Sequence, residues 1–193
     1  MLRHGATASN QEHRYLGRTD ESLSSDGKEA LQVLRHRYPK IDYIFSSPMK
    51  RCLETAQILY PNQKIRIIKE WEEMHFGDFE GKNYMELKEN ASYQKWIDSN
   101  ATLPFPNGES REDFIERCKQ GFYNMLLQLK KLHPENNSIT VGFIIHGGTI
   151  MSLLSTFGGG EYFDYQTANA KGYIGTLKCQ QRDFQIVDIQ KIK

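Results

Sequence analysis

The chain has 193 residues, 38% of them hydrophobic and 25% charged, which is enough for one sizeable core and short for two, so a single domain is expected. Its 25 basic and 24 acidic residues leave a formal net charge of +1, which excludes a global field able to hold a nucleic acid polymer. No stretch approaches the roughly 18 apolar residues of a membrane span, and the opening MLRHGATASN has no apolar signal core, so a soluble cytoplasmic protein without membrane contact is expected.

In chain order, Arg3-His4-Gly5 opens a glycine-bearing polar loop. Ser24 can cap a helix over 25–38, with Ala30, Leu31 and Leu34 as its inward stripe. IDYIFSS then reads as a strand, and in SSPMKRCLETAQILY Ser47 can cap a second helix with Pro48 at its first position and Leu53, Ala56 and Leu59 facing inward. KIRIIKE reads as an edge strand, because lysine and glutamate flank it. From about 74 to 110 the pattern becomes aromatic and irregular, with one local helix expected between Met85 and Ile97; this predicts a lid or pocket wall inserted into the domain.

A long helix follows, capped by Ser110 with Asp113 and carrying Phe114, Cys118, Phe122, Met125, Leu126, Leu129 and Leu132 at three- and four-residue spacing. ITVGFIIHG is apolar on both faces, as a central strand should be, and TIMSLLSTFG reads as a helix ended by glycines 158 to 160. YIGTLKC and FQIVDIQ close the chain as a hairpin at the sheet margin, whose edge could pair with a second copy in a homodimer. The fold class is therefore α/β, a three-layer sandwich of helices on both faces of a mixed, mostly parallel sheet. Arg35-His36-Arg37 and Lys130-Lys131 read as solvated helix faces, and Cys52, Cys118 and Cys179 as scattered thiols without metal or disulfide spacing.

Chemistry concentrates at His4 and at His146 in FIIHGGTI, two imidazoles that each open a glycine turn and imply one pocket. A neutral imidazole attacks phosphorus well and leaves again from the adduct, so His4 could split one displacement into two. Arg3 and Arg51 offer planar donor forks for phosphoryl oxygens, and His146 could donate to the same group. Gly147-Gly148-Thr149 would turn backbone N–H groups and a positive helix end toward an anion. Taken singly, each of these residues has a bland structural reading, and Glu73 is one of several acids in its segment.

Together the segments resemble the histidine phosphatase superfamily, the phosphoglycerate-mutase-like fold. MLRHGATASN matches its first signature, SSPMKRCLETA its second, EEMHFGDFEGK its third, FPNGES the segment before the long helix, and IIHGGTI the second histidine motif. The resemblance implies that His4 is the phosphorylated nucleophile, that Arg3, Arg51 and His146 complete the phosphate pocket, and that Glu73 acts as general acid and then base. It further implies that Asn10, Thr7 and Gly147 contribute to phosphoryl binding, and that no metal or other cofactor takes part.

HFGDFEGKNYMEL, FPNGESREDFIERC and EYFDYQTANAKGY resemble the alpha-ribazole phosphatase group, which removes the 5′-phosphate of alpha-ribazole phosphate in cobalamin synthesis. Trp71, His75, Phe76, Tyr84 and Trp96 could face an aromatic base or sugar there, or simply pack. The partner is then a small-molecule phosphomonoester. Other readings stay open: another sugar-phosphate or small-molecule phosphatase, a phosphoglycerate mutase, or a binding module on an impaired fold. One departure from relatives concerns the first strand, since only Met1 and Leu2 precede Arg3: either translation starts upstream of this sequence, or backbone groups around His4 are expected to lose partners.

Overall fold

The computed structural model describes residues 1–134, 137–180 and 183–192. Four strands, β1 (Leu2–Arg3), β2 (Tyr43–Ser46), β3 (Ile65–Ile67) and β4 (Val141–Ile145), form a parallel sheet in the order β1-β4-β2-β3. As the lysine and glutamate at its ends suggest, β3 lies at an edge. Seven α-helices occur among the described residues: α1 (Ala8–Gln11), α2 (Ser25–Leu34), α3 (Lys50–Leu59), α4 (Tyr84–Leu87), α5 (Ala91–Asp98), α6 (Arg111–Leu132) and α7 (Gly147–Gly158). The chain closes with an antiparallel hairpin of β5 (Tyr173–Gln180) and β6 (Asp183–Lys191).

Alternation along the strands distributes side chains between two apolar layers. Ile44 and Ile144 pack with Leu31 of α2 and Cys52, Ala56 and Leu59 of α3, whereas Phe45, Phe143 and Ile145 pack with Phe114, Cys118 and Phe122 of α6 and Ile150, Leu153 and Phe157 of α7. Burial on both faces explains why β4 reads as an unbroken apolar run. The expected α/β sandwich is the observed fold.

Element ends depart from the sequence expectations for local reasons. The first long helix stops at Leu34 and tightens into a 3₁₀ turn at Arg35–Arg37, because Tyr38 precedes Pro39 and takes an extended backbone. Ala30 is exposed and Leu34 half-buried, so Leu31 is the main apolar anchor of α2. Met49, and not Ser47, is the N-cap of α3, so Pro48 lies before the helix; the Ser47 hydroxyl is engaged elsewhere. Two short helices replace the single one expected near 85–97: Asn83 caps α4, and Asn90 breaks the run by capping α5 through the Tyr93 N–H. Ser110 and Asp113 cap α6 as anticipated, though Leu132 at its far end is exposed.

Short as it is, β1 is flanked on both sides. It pairs with β4 through Leu2↔Ile144 and Arg3↔Ile145, while Arg3 N–H donates to Lys171 O (2.9 Å), Ala170 N–H to Arg3 O (3.1 Å) and Tyr173 N–H to Met1 O (2.9 Å). The expectation that groups around His4 lack partners is therefore overturned: the incoming segment 170–173 supplies them. Further back, a groove of about 740 Å³ lies beside Val141 and Phe143, with Ile174 and Leu177 on its other wall.

Candidate active site

Parallel pairing fixes the site. Because Arg3 is in register with Ile145, the next residues of the two chains, His4 and His146, leave the carboxyl edge of the sheet side by side. Their ring centroids are 5.2 Å apart at an interplanar angle of 66°. Ser47 leaves β2 at the same edge and the chain turns at once into α3, which brings Arg51 to His146. Crevices outside the carboxyl ends of parallel strands are where α/β sheets bind ligands.

The imidazoles are held in defined tautomers. His4 Nδ1–H donates to its neighbour's carbonyl, Gly5 O, at 2.7 Å, which leaves the Nε2 lone pair as the nucleophilic position. Arg51 Nε–H donates to His146 Nδ1 (3.3 Å), so Nε2 carries the proton and donates to Ser47 Oγ (2.7 Å). Both ring nitrogens of His146 thus have protein partners, and donation to a phosphoryl group would take the Nε2–H from Ser47 Oγ. Burial, then the nearby Arg51 guanidinium, pushes both imidazoles well below the ordinary value of 6.5, with Arg3 adding to the effect. Both rings are neutral near neutrality.

Around them the cations are anchored by carbonyls. Arg51, fully buried, donates through Nη1 to Thr19 O (2.8 Å) and through Nη2 to Gly17 O (2.7 Å). Arg3 Nη1 donates to Thr167 O (2.8 Å), and its buried Nε has no hydrogen-bond partner. Thr7 caps α1 and is fully buried, its hydroxyl accepting from Asn10 N–H (3.2 Å). Asn10 Oδ1 accepts from Thr7 N–H and from Asn169 Nδ2 (2.9 Å).

Glu73 sits in an irregular stretch after a 3₁₀ turn, yet is only 8% exposed. Its carboxylate accepts from Met74 N–H (3.0 Å) and from Gly148 N–H (3.2 Å) at the first turn of α7. Burial raises its pKa above the ordinary 4.5, partly offset by those two N–H groups and by Arg51 and Arg3. A Cβ at Gly148 would stand 2.4 Å from Glu73 Oε1, so a larger residue there would displace the carboxylate. Gly147 lies against the Arg3 side chain.

Glu73, Arg3, Gly147 and Gly148 line one side of a cavity of about 530 Å³. Rings form much of the rest: Tyr15, Phe76, Trp96, Phe105, Tyr162 and Phe163. Of the five aromatic candidates from the sequence, only Phe76 and Trp96 line it. Trp71 is fully buried against Phe143 (4.9 Å) with its indole N–H on Cys118 O, Tyr84 is 56% exposed, and His75 is exposed. Sequence reading missed Ser47, treated as a cap, and Asn169, whose amide joins His4 O, Gly5 O and Asn10. No pattern in the letters separates such residues from other loop polar groups. Among the described residues no group of three or more His, Cys, Asp or Glu could hold a metal ion, and no helix is long and apolar enough to cross a membrane.

Comparison with known proteins follows the same geometry. The family model described as histidine phosphatase superfamily (branch 1) matches residues 1–191. Phosphoserine phosphatase 1 of Hydrogenobacter thermophilus is 28% identical over 151 residues, covering 75% of this chain and 70% of its own. The adenosylcobalamin/alpha-ribazole phosphatase of Escherichia coli is 27% identical over 162 residues, covering 80% and 76%. Among solved structures, the alpha-ribazole phosphatase of Shigella flexneri superposes with a TM-score of 0.77 at 21% identity, over 96% of this chain and 92% of that one, a likeness of fold.

Proposed function

From the premise that the chain belongs to the histidine phosphatase superfamily, branch 1, we propose that it hydrolyses a small phosphomonoester through a phosphohistidine at His4, with alpha-ribazole 5′-phosphate as the substrate. The observation that carries the reading is the pairing of two neutral imidazoles, 5.2 Å apart, with a buried glutamic acid at the wall of a ring-lined cavity. His4 Nε2 attacks phosphorus and the bond to the leaving oxygen breaks, while Glu73, whose pKa burial raises, gives that oxygen its proton. Water then attacks the phosphoryl group, the Glu73 carboxylate takes a water proton, and the P–N bond breaks to restore the Nε2 lone pair. Arg3, with an unpartnered Nε, and Arg51 face the developing charge; Asn10, Thr7, Gly147 and His146 complete the phosphoryl site.

The ring-lined cavity supports a bulky, planar leaving group such as a benzimidazole riboside over a short polyol. Two relatives that carry the alpha-ribazole name support the same choice. Three free thiols suit a cytoplasmic setting. The test is a panel of phosphomonoesters, with the acid-labile label from quenched turnover mapped by peptide. Label on His4 and preference for alpha-ribazole 5′-phosphate are expected. Preference for short sugar phosphates by about tenfold or more would replace the substrate and keep the chemistry. Interconversion of 2- and 3-phosphoglycerate with negligible hydrolysis would make the enzyme a mutase, and stable binding of intact substrate with no label would make it a binding module.

A further inference from the structure

Glu73 has no regular element to hold it. Residues 72–76 are irregular, so the carbonyls of this stretch need partners from elsewhere in the fold. Two of those carbonyls, Glu72 O and Glu73 O, meet one side chain that the reaction above leaves unused. Arg117, on the second turn of α6, donates through Nη1 to Glu70 O (2.8 Å) and Glu72 O (3.0 Å), and through Nη2 to Glu73 O (3.5 Å). Its two remaining donors form a bidentate pair with Glu109, Nε to Oε1 at 2.9 Å and Nη2 to Oε2 at 2.8 Å. All five N–H groups of the guanidinium are thereby used.

Glu109 closes the clamp from the other end. Its Oε2 accepts from His75 N–H (3.2 Å), and its own N–H donates to His75 O (2.9 Å). The ion pair is largely shielded, with side-chain exposures of 21% and 14%, and the guanidinium lies 5.0 Å from the Phe114 ring centroid, whose residue also abuts Gly148. The backbone on both sides of Glu73 is therefore tied to the first turns of α6 through a planar, five-donor fork that a lysine could not reproduce.

We propose that Arg117, braced by Glu109, is a positioning residue that sets where the Glu73 carboxyl meets the leaving oxygen. The inference rests on the general-acid role given to Glu73 above. Its readout is dependence on the leaving group, because 4-nitrophenolate departs without a proton and an alkoxide does not. The quantity measured is kcat/KM, which reports only steps through phosphoenzyme formation, for 4-nitrophenyl phosphate and for an alkyl phosphate.

For Arg117→Met, kcat/KM on the alkyl ester should fall about 100-fold, as expected for a displaced catalytic group, and on the nitrophenyl ester less than about threefold. Arg117→Lys should recover little of the difference. Equal losses on both esters would make the pair a structural brace only and overturn the proposal. Should Arg117→Met fail to fold, Glu109→Gln decides the matter by the same ratio. Glu73→Gln separates the two levels: if it shows the asymmetry and neither clamp variant does, positioning fails alone; if it shows none, the acid role itself fails, and the proposal with it.

Discussion

The histidine pair with its arginines and the ring-lined cavity wall are built on opposite principles. On the phosphoryl side, His4 stands at the end of a paired parallel strand and Arg51 in the first turn of a helix; both are buried and locked by hydrogen bonds, Arg51 to two carbonyls and an imidazole and His4 to Gly5, and Glu73, on an irregular stretch, is held by two N–H groups. The opposite wall is made of short helices and turns whose rings touch edge to face, Tyr15 on Phe76 at 5.1 Å and Phe76 on Phe105 at 5.1 Å, with the buried Trp96 indole N–H unpartnered. Regular elements give the first side the precision that bond-making needs. Apolar contacts, being non-directional, let the second side suit a shape without fixing an atom.

Disruption of the first side should cost the most. His4→Ala should lower turnover by about 10⁴- to 10⁶-fold for every phosphomonoester and abolish the acid-labile label, measured by rapid quench. Gly148→Ala pushes a methyl to within 2.4 Å of Glu73 Oε1, so a loss of about 100-fold is expected, largest for poor leaving groups. If Gly148→Ala is fully active, Glu73 is not held as tightly as its hydrogen bonds indicate.

On the second side the effect should be smaller and selective. Trp96→Ala should lower kcat/KM about tenfold for ring-bearing esters and less for small ones, a ratio read directly from paired assays. An equal drop for both would mean that the rings serve folding and not selection.

Stability should sharpen the contrast further. Both imidazoles titrate below the ordinary 6.5, so the unfolded chain takes up protons below that value while the folded one does not. The urea midpoint should therefore fall as pH drops through about 6.5, and His146→Asn should flatten that slope. Glu73 has the opposite sign, its raised pKa favouring the folded state as pH falls toward 4.5. The smallest effect concerns the groove beside Val141 and Phe143: an engineered extension of a few apolar residues ahead of Met1 should raise Tm by about 2–4 °C. An unchanged Tm would show that the groove does not accept a strand.

Much of this was legible in the letters. Strand and helix identities follow from period-two and three-to-four-residue patterns, and the unbroken apolar run before His146 places β4 in the sheet interior from the letters alone. Failures came where one residue had two local options: Ser47 could cap a helix or meet an imidazole, and Asn90 could continue a helix or end it. Propensity weighs those options within tenths of a kcal/mol, and tertiary contacts outweigh it.

What the sequence determined by itself was the inventory: the family signatures, the helices and strands, and the residue types able to do phosphoryl chemistry. The tertiary structure alone decided the meeting. The register Arg3↔Ile145 sets His4 beside His146 from opposite ends of the sequence, segment 170–173 completes the pairing of a two-residue strand, and Arg117 reaches back to the backbone at Glu73. Those relations depend on which strands become neighbours, a choice made by burying both faces of one sheet at once. No short window of residues carries that information.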